Sequence, residues 1–439
     1  MKKTTLCLAL VGLLALGGQA VAVICTIDAV PSSTLMLPYF ELDLSNPNGL
    51  TTLFSINNAS ATAILTHVVI WSDLSVPVLD FDVYLTGYDV QSINLRDIIV
   101  NGNLPQTASA GQDPGDAISP KGPLSQDINF ASCTGHLPPA PLDSTTTLYL
   151  QDALTGKAVP AAFNACGSSS CCYGQAIGDN IARGYITVDT VAACSLCEQN
   201  TGTGPCPGGG SYFGGGGIIT FQNVLFGDWF IVNTPGNFAQ GGDLVAVESS
   251  LTDARVNTAG DYTFYGRYVG WTAVDRREPL ATDFATRFLQ GGPFAAGTSL
   301  LCWRDSKTNA PVPSFACGSL PTWFPLGQEG ISVFDEQEHI QTVAGCSHSP
   351  CNMPSVTPCP AETQRVQVGG ANFPVPFTFG WLYMDLNFGP TVGQVAGLAD
   401  PAAMQNWVIA TYTSNGHFSV GVDAFQLDSA CAAVHFFPH

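Results

Sequence analysis

Asp335, Glu336, Glu338 and His339 put four ionisable side chains within five residues, the densest such cluster in the chain. Paired carboxylates serve as acid and base in glycoside hydrolysis, and carboxylate oxygens also hold calcium. The same turn without a ligand is a solvated loop after a strand, because each unpaired charge costs several kcal/mol to bury. The sequence therefore offers two readings here. One is a hydrolase using Asp335, Glu336, Glu338 and His339. The other is a protein with no catalytic residue and no cofactor, with calcium as an ion these carboxylates could bind.

Cys194-Ser195-Leu196-Cys197 has the CxxC spacing of zinc and thiol-redox sites. Zinc needs a second pair of that kind, and Cys346 and Cys351 are spaced too widely to supply it. A redox site needs a βαβ setting, which the surrounding pattern lacks. Disulfides are the expectation. Asp275-Arg276-Arg277-Glu278 reads as salt bridges and as the charged start of a helix. His67 sits inside an apolar run and reads as a structural residue. No G-x-S-x-G, H-E-x-x-H or EF-hand pattern occurs.

Export explains the cysteines. Lys2 and Lys3, the apolar run Leu6 to Leu16 and Ala20-Val21-Ala22 form a signal peptide over residues 1–22. Its apolar core is too short to span a bilayer, and no later run is long enough for a transmembrane helix. Of the 15 cysteines, Cys7 falls in this leader. The others are expected to pair in an oxidising compartment: Cys25, Cys133, Cys166, Cys171, Cys172, Cys194, Cys197, Cys206, Cys302, Cys317, Cys346, Cys351, Cys359 and Cys431. Adjacent Cys171 and Cys172 are too close to bridge each other and should staple different segments. Cys25 and Cys431 are the first candidates for a bridge between the chain ends. Removing Lys2 and Lys3 takes the net charge from −20 to −22. That excess opposes nucleic acid and anionic lipid as partners.

The elements that must position these groups are strands. Leu79, Phe81, Val83 and Leu85 alternate with Asp80, Asp82 and Tyr84, which predicts one buried and one wet face. Ile64 to Trp71 is nearly all apolar and rich in β-branched residues, as in a strand covered on both sides. Ser144 to Gln151 also reads as a strand. Leu280, Phe284 and Phe288 at i, i+4 and i+8, after Pro279, predict a helix over 279–290. Asp400-Pro401 reads as one helical turn. Ser414-Asn415-Gly416 predicts a C-terminal hairpin whose Phe418, Val420, Val422 and Ala424 face is buried against the first strand block.

The expected fold is an all-β antiparallel sandwich, immunoglobulin-like or jelly-roll-like, with long disulfide-stapled loops and one notable helix. Residues 23–439 would form one large or two packed β domains, with a Cys/Gly-rich insertion at about 130–217. The leading function is a secreted non-enzymatic surface, matrix or binding protein, located outside the cell, on its surface or in the periplasm. The alternatives are the hydrolase above and an outer-membrane β-barrel. Many disulfides and long irregular loops argue against the barrel.

Overall fold

The computed structural model describes residues 24–25, 29–106, 131–133, 136–164, 166, 170–194, 210–213, 217–257, 263–265, 275–291, 296–305, 315–319, 324–344, 357–387, 404–414 and 418–429. The signal peptide, Cys197, Cys206, Cys346, Cys351, Cys431 and the Asp400-Pro401 turn lie outside them.

In chain order the elements are β1 (Thr34–Asp43), β2 (Thr51–Asn58), β3 (Ile64–Ser72), β4 (Pro77–Leu85), β5 (Val90–Asn94), α1 (Leu95–Ile99) and α2 (Ser144–Leu154). Next come β6 (Cys171–Cys172), β7 (Ile181–Val191), β8 (Leu225–Phe226), β9 (Asp228–Asn233), β10 (Phe238–Asp243) and β11 (Val245–Val247). The remainder is β12 (Ala281–Leu289), β13 (Ala296–Arg304), β14 (Phe315–Ala316), β15 (Gly330–Phe334), β16 (Ile340–Ala344), β17 (Thr363–Gln367), β18 (Phe379–Asp385), β19 (Asn406–Ser414), β20 (Phe418–Asp423) and β21 (Phe425–Ser429).

The fold is all-β and antiparallel. One sheet runs β11-β1-β7-β3-β4 and a second β10-β9-β2-β5, with β8 on β2. A third runs β16-β15-β18-β12-β19-β13-β17, with β20 on β19 and β21 on β12, and β14 pairs with β6. The first two sheets face each other: Phe40, Val68, Phe81 and Ile186 share a core with Phe54, Ile56, Trp229 and Ile231. The third sheet is covered on both sides by its own alternation. Leu301, Trp303, Trp407 and Ile409 enter that core, while Leu300, Cys302, Val408 and Ala410 enter a second one.

Five expectations are corrected. Residues 279–290 form a strand, β12, and not a helix. Positions 280, 284 and 288 fit a period of two as well as one of 3.6, and Thr282 and Thr286 complete the two-residue alternation. β18 pairs with it from Asp283 to Leu289, with Phe284 opposite Met384, and burying Phe284 and Phe288 contributes roughly 1.5–3 kcal/mol each. Conversely, Ser144–Leu154 is a helix and not a strand. Asp143 caps it by accepting from the Thr146 amide at 2.7 Å, and Tyr149, Leu150, Ala153 and Leu154 form its buried stripe. In β4 the Asp/Tyr face is not wet: Asp80, Asp82 and Tyr84 are all buried, because His67 of β3 lies directly opposite Asp82.

The hairpin forms from β19 and β20, but Phe418, Val420 and Val422 are exposed and only Ala424 is buried. It belongs to the third sheet, and Trp407 and Ile409 join it to the first core. Finally, the Cys/Gly-rich segment at about 130–217 is not an insertion into the fold, since β7 within it lies between β1 and β3. A strand with neighbours on both edges and side chains in the core is part of the scaffold.

Disulfides join Cys133 to Cys194, Cys166 to Cys171, Cys172 to Cys317 and Cys302 to Cys359. Cys171 and Cys172 thus hold different segments, as their adjacency requires. Cys25 is also in a disulfide.

Candidate functional site

The Asp335–His339 cluster is a self-contained turn. The Asp335 carboxylate accepts from the Gln337 and His339 amides at 2.9 and 2.8 Å and from His339 Nδ1 at 2.7 Å. Burial pushes its pKa up, but the His339 hydrogen bond and the two amides outweigh this and hold it below the usual carboxylate value. Glu336, Glu338 and His339 are exposed, and none of them lines the cleft formed by Glu41, Asp73 and Arg365. We expect alanine at Asp335, Glu336 or Glu338 to move Tm by no more than about 2 °C in differential scanning fluorimetry. A larger drop at any one of them would assign the turn a structural role beyond its own loop.

CxxC chemistry is not available to Cys194, which is bonded to Cys133. Asp275, Arg277 and Glu278 begin no helix. They lie in a buried polar layer that the sequence did not reveal. Arg277 is held by Asp189 and Asp275 at 3.4 Å each, and donates to the Thr220 carbonyl at 3.1 Å and to the Thr34 hydroxyl. Asp189 accepts from Tyr212 and Tyr265 at 2.6 and 2.8 Å, and faces His67 across the β3–β7 pairing. His67 Nδ1 lies 2.9 Å from Asp82. Burial alone would lower the His67 pKa, but Asp82, Asp80 and Asp189 raise it above the ordinary value. The layer is buried inside the fold, where it ties β1, β3, β4 and β7 to the 275–278 segment.

A cleft of about 790 Å3 opens elsewhere, lined by Glu41, Asp73, Gln175, Arg183, residues 357–367 in part, and Asn372. Local sequence explains how each element arrives. Pro38 cannot donate a backbone hydrogen bond, and β1 has an irregular register against β7 between Leu37 and Phe40. There the Thr363 hydroxyl donates to the Pro38 carbonyl at 2.6 Å, docking β17 on β1. Beyond the irregularity Glu41 faces Arg183 of β7. Arg365 of β17 clamps Glu41 in bidentate fashion, Nε to Oε1 at 3.1 Å and Nη2 to Oε2 at 3.0 Å. Tyr39 OH donates to the same Glu41 oxygen at 2.6 Å. Burial raises the Glu41 pKa, but Arg365 and Tyr39 more than reverse this, so the carboxylate is held below its ordinary value.

Asp73 stands in the opposite condition. It lies in the turn after β3 and accepts from the Gln175 amide and from Gln175 Nε2, both at 3.0 Å. Burial lifts its pKa to about 7, against the pull of the Gln175 donors and Arg183 and with the help of Glu362. Thr357, Pro358 and Pro360 form the far rim. That rim is tied to β13 by the Cys302–Cys359 bridge and by Arg304, whose Nη1 donates to the Cys359 carbonyl at 2.9 Å.

Glu41 and Arg365 are 324 residues apart, and no local motif marks them. Among the described residues no three His, Cys, Asp or Glu side chains converge as a metal site, and no helix is long and apolar enough to cross a membrane. Trp71, Trp229, Trp303 and Trp407 are core residues, whereas Trp381 stacks on Phe334 at 4.2 Å on an exposed face. The fold and site define an all-β, disulfide-bonded protein with a mixed-charge polar cleft. No protein-family model, curated protein or solved structure matches the chain.

Proposed function

We propose that this protein is exported and works by binding, with the cleft between β1, β7 and β17 as its ligand site. One observation carries the reading: the charged groups of the cleft are already matched to internal partners, while uncharged hydrogen-bonding groups stand beside them. Glu41 is neutralised by Arg365 and Arg183 by Asp179. Both oxygens of Glu41 and both of Asp73 accept from protein donors, which supports binding over turnover. Thr357, Gln364 and Asn372 add hydroxyl and amide groups, and Pro358, Pro360 and Ile177 add apolar surface. Such a lining complements a neutral polyhydroxyl ligand, an oligosaccharide, with its C–H faces on the prolines. The acidic chain, at −20, disfavours anionic alternatives. Four disulfides among the described residues support a secreted, surface or periplasmic setting.

The test is saturation-transfer NMR and calorimetry against a panel of neutral oligosaccharides. We expect exposed Asn372→Ala to weaken binding roughly five- to tenfold at unchanged Tm. Absence of binding across the panel, or binding indifferent to this variant, would refute the site.

A further inference from the structure

Asp73 and Gln175 share a geometry that matches an ionised carboxyl group. Both donors of Gln175, its backbone amide and its side-chain Nε2, point at the two oxygens of a single carboxyl group. Gly174 makes the approach possible, since a Cβ there would lie 2.7 Å from Asp73 Oδ1 and 3.0 Å from the Ala153 carbonyl. Asp73 is 5% exposed, while Gln175 is half-buried and lines the cleft.

An ionised carboxylate accepts both donors. A neutral carboxylic acid carries one O–H that must itself donate, and neither an amide N–H nor an NH2 group accepts. Rotating the Gln175 amide by half a turn replaces Nε2 with Oε1 and restores the bond with its direction reversed. The number of hydrogen bonds is unchanged, so the rearrangement costs little.

We propose that Asp73 and Gln175 form a proton-driven amide switch in the cleft wall. With Asp73 ionised, the Gln175 carbonyl faces the cleft as an acceptor. With Asp73 protonated, the amide turns over and presents its NH2 as a donor. The consequence for a ligand rests on the cleft being the binding site, whereas the switch itself does not.

The charged groups around the pair set where it works. Arg183 of β7 favours the ionised form and Glu362, just before β17, favours the neutral one. Glu41 and Arg365, across the same cleft, compensate each other. Burial brings the transition to about pH 7, within the range an exported protein meets.

The experiment uses the full ligand-free chain with 13C-labelled aspartate and 15N-labelled glutamine side chains, titrated by NMR from pH 5.5 to 8.5. We expect the Asp73 carboxyl carbon and the Gln175 side-chain amide to move with one shared midpoint near 7. The protection of the Gln175 NH2, its exchange relative to a free amide at the same pH, should fall below that midpoint as the bond to Asp73 is lost. Asp73→Asn should abolish the Gln175 titration. A Gln175 amide that is flat across the range, that titrates with a different midpoint from Asp73, or that still titrates in the Asn variant would overturn the switch. The wild-type comparison of midpoints decides the matter even if the variant folds poorly. Because no oligosaccharide is present, the outcome is independent of whether the cleft binds one.

Discussion

Arg304→Met will destabilise the protein by about 3–5 kcal/mol, the range for breaking a buried charged network from one side. Arg304 is fully buried at the end of β13. Its guanidinium donates to the Cys359 carbonyl at 2.9 Å, the Gly327 carbonyl at 2.6 Å, the Leu386 carbonyl at 2.7 Å and Asn406 Oδ1 at 3.0 Å. One side chain therefore gathers four separate segments, including the far rim of the cleft. Burial pulls its pKa down to about 9 against the attraction of Asp385, so it stays charged at neutral pH. Methionine fills the volume but leaves these acceptors without their donor, which costs more than the lost bonds themselves. Lysine keeps the charge but lacks the planar fork that reaches several carbonyls at once, so Arg304→Lys should recover only part of the loss. Guanidinium unfolding with an unchanged m-value would measure both. A Met variant within 1 kcal/mol of wild type would show that the four segments hold together without it.

Stability will be greatest at mildly acidic pH and will fall as pH rises to 8.5. Burial raises Asp73 to about 7, Asp275 to about 6 and Asp385 to about 8. The ordinary value for the unfolded chain is about 3.9. For Asp385, burial is reinforced by Asp283, its direct neighbour across the β12–β18 pairing. Between about pH 4 and these raised values the native state binds more protons than the unfolded state, so stability declines with increasing pH. His67, also raised in the fold, contributes in the same direction: its share is full below the unfolded value and is lost as pH passes the folded one. Glu41, held low by Arg365, acts oppositely and loses its contribution on strong acidification. A maximum near pH 5 follows. Since each tenfold change in proton affinity is worth about 1.4 kcal/mol, three displaced carboxyls amount to several kcal/mol. That corresponds to a Tm roughly 10 °C lower at pH 8.5 than at pH 5. Asp73→Asn and Asp385→Asn should each flatten the profile in scanning calorimetry. A Tm that rises steadily from pH 5 to 8.5 would mean these carboxyls are ionised at little cost.

Strand character and the division of labour between Cys171 and Cys172 were legible in the residues alone. They rest on local rules: a period of two along β3 and β4, and the span a disulfide requires. The residues did not distinguish helix from strand in 279–290, because a spacing of four satisfies both periods. Nor did they reveal the helix at Ser144–Leu154, where one Asp143 cap and a buried stripe override a run of threonines. Charge density pointed to Asp335–His339, which bonds within its own turn, because side chains close in sequence satisfy one another locally. The cleft gathers residues from β1, the turn after β3, the segment before β7 and β17, up to 324 residues apart. Only the pairing of β1 with β7 and the docking of Thr363 on Pro38 bring Glu41, Asp73, Gln175 and Arg365 together. Burial lifts Asp73 above its ordinary pKa, while Arg365 and Tyr39 overcome the same burial at Glu41 and hold it below; both outcomes belong to the packed chain rather than to either residue.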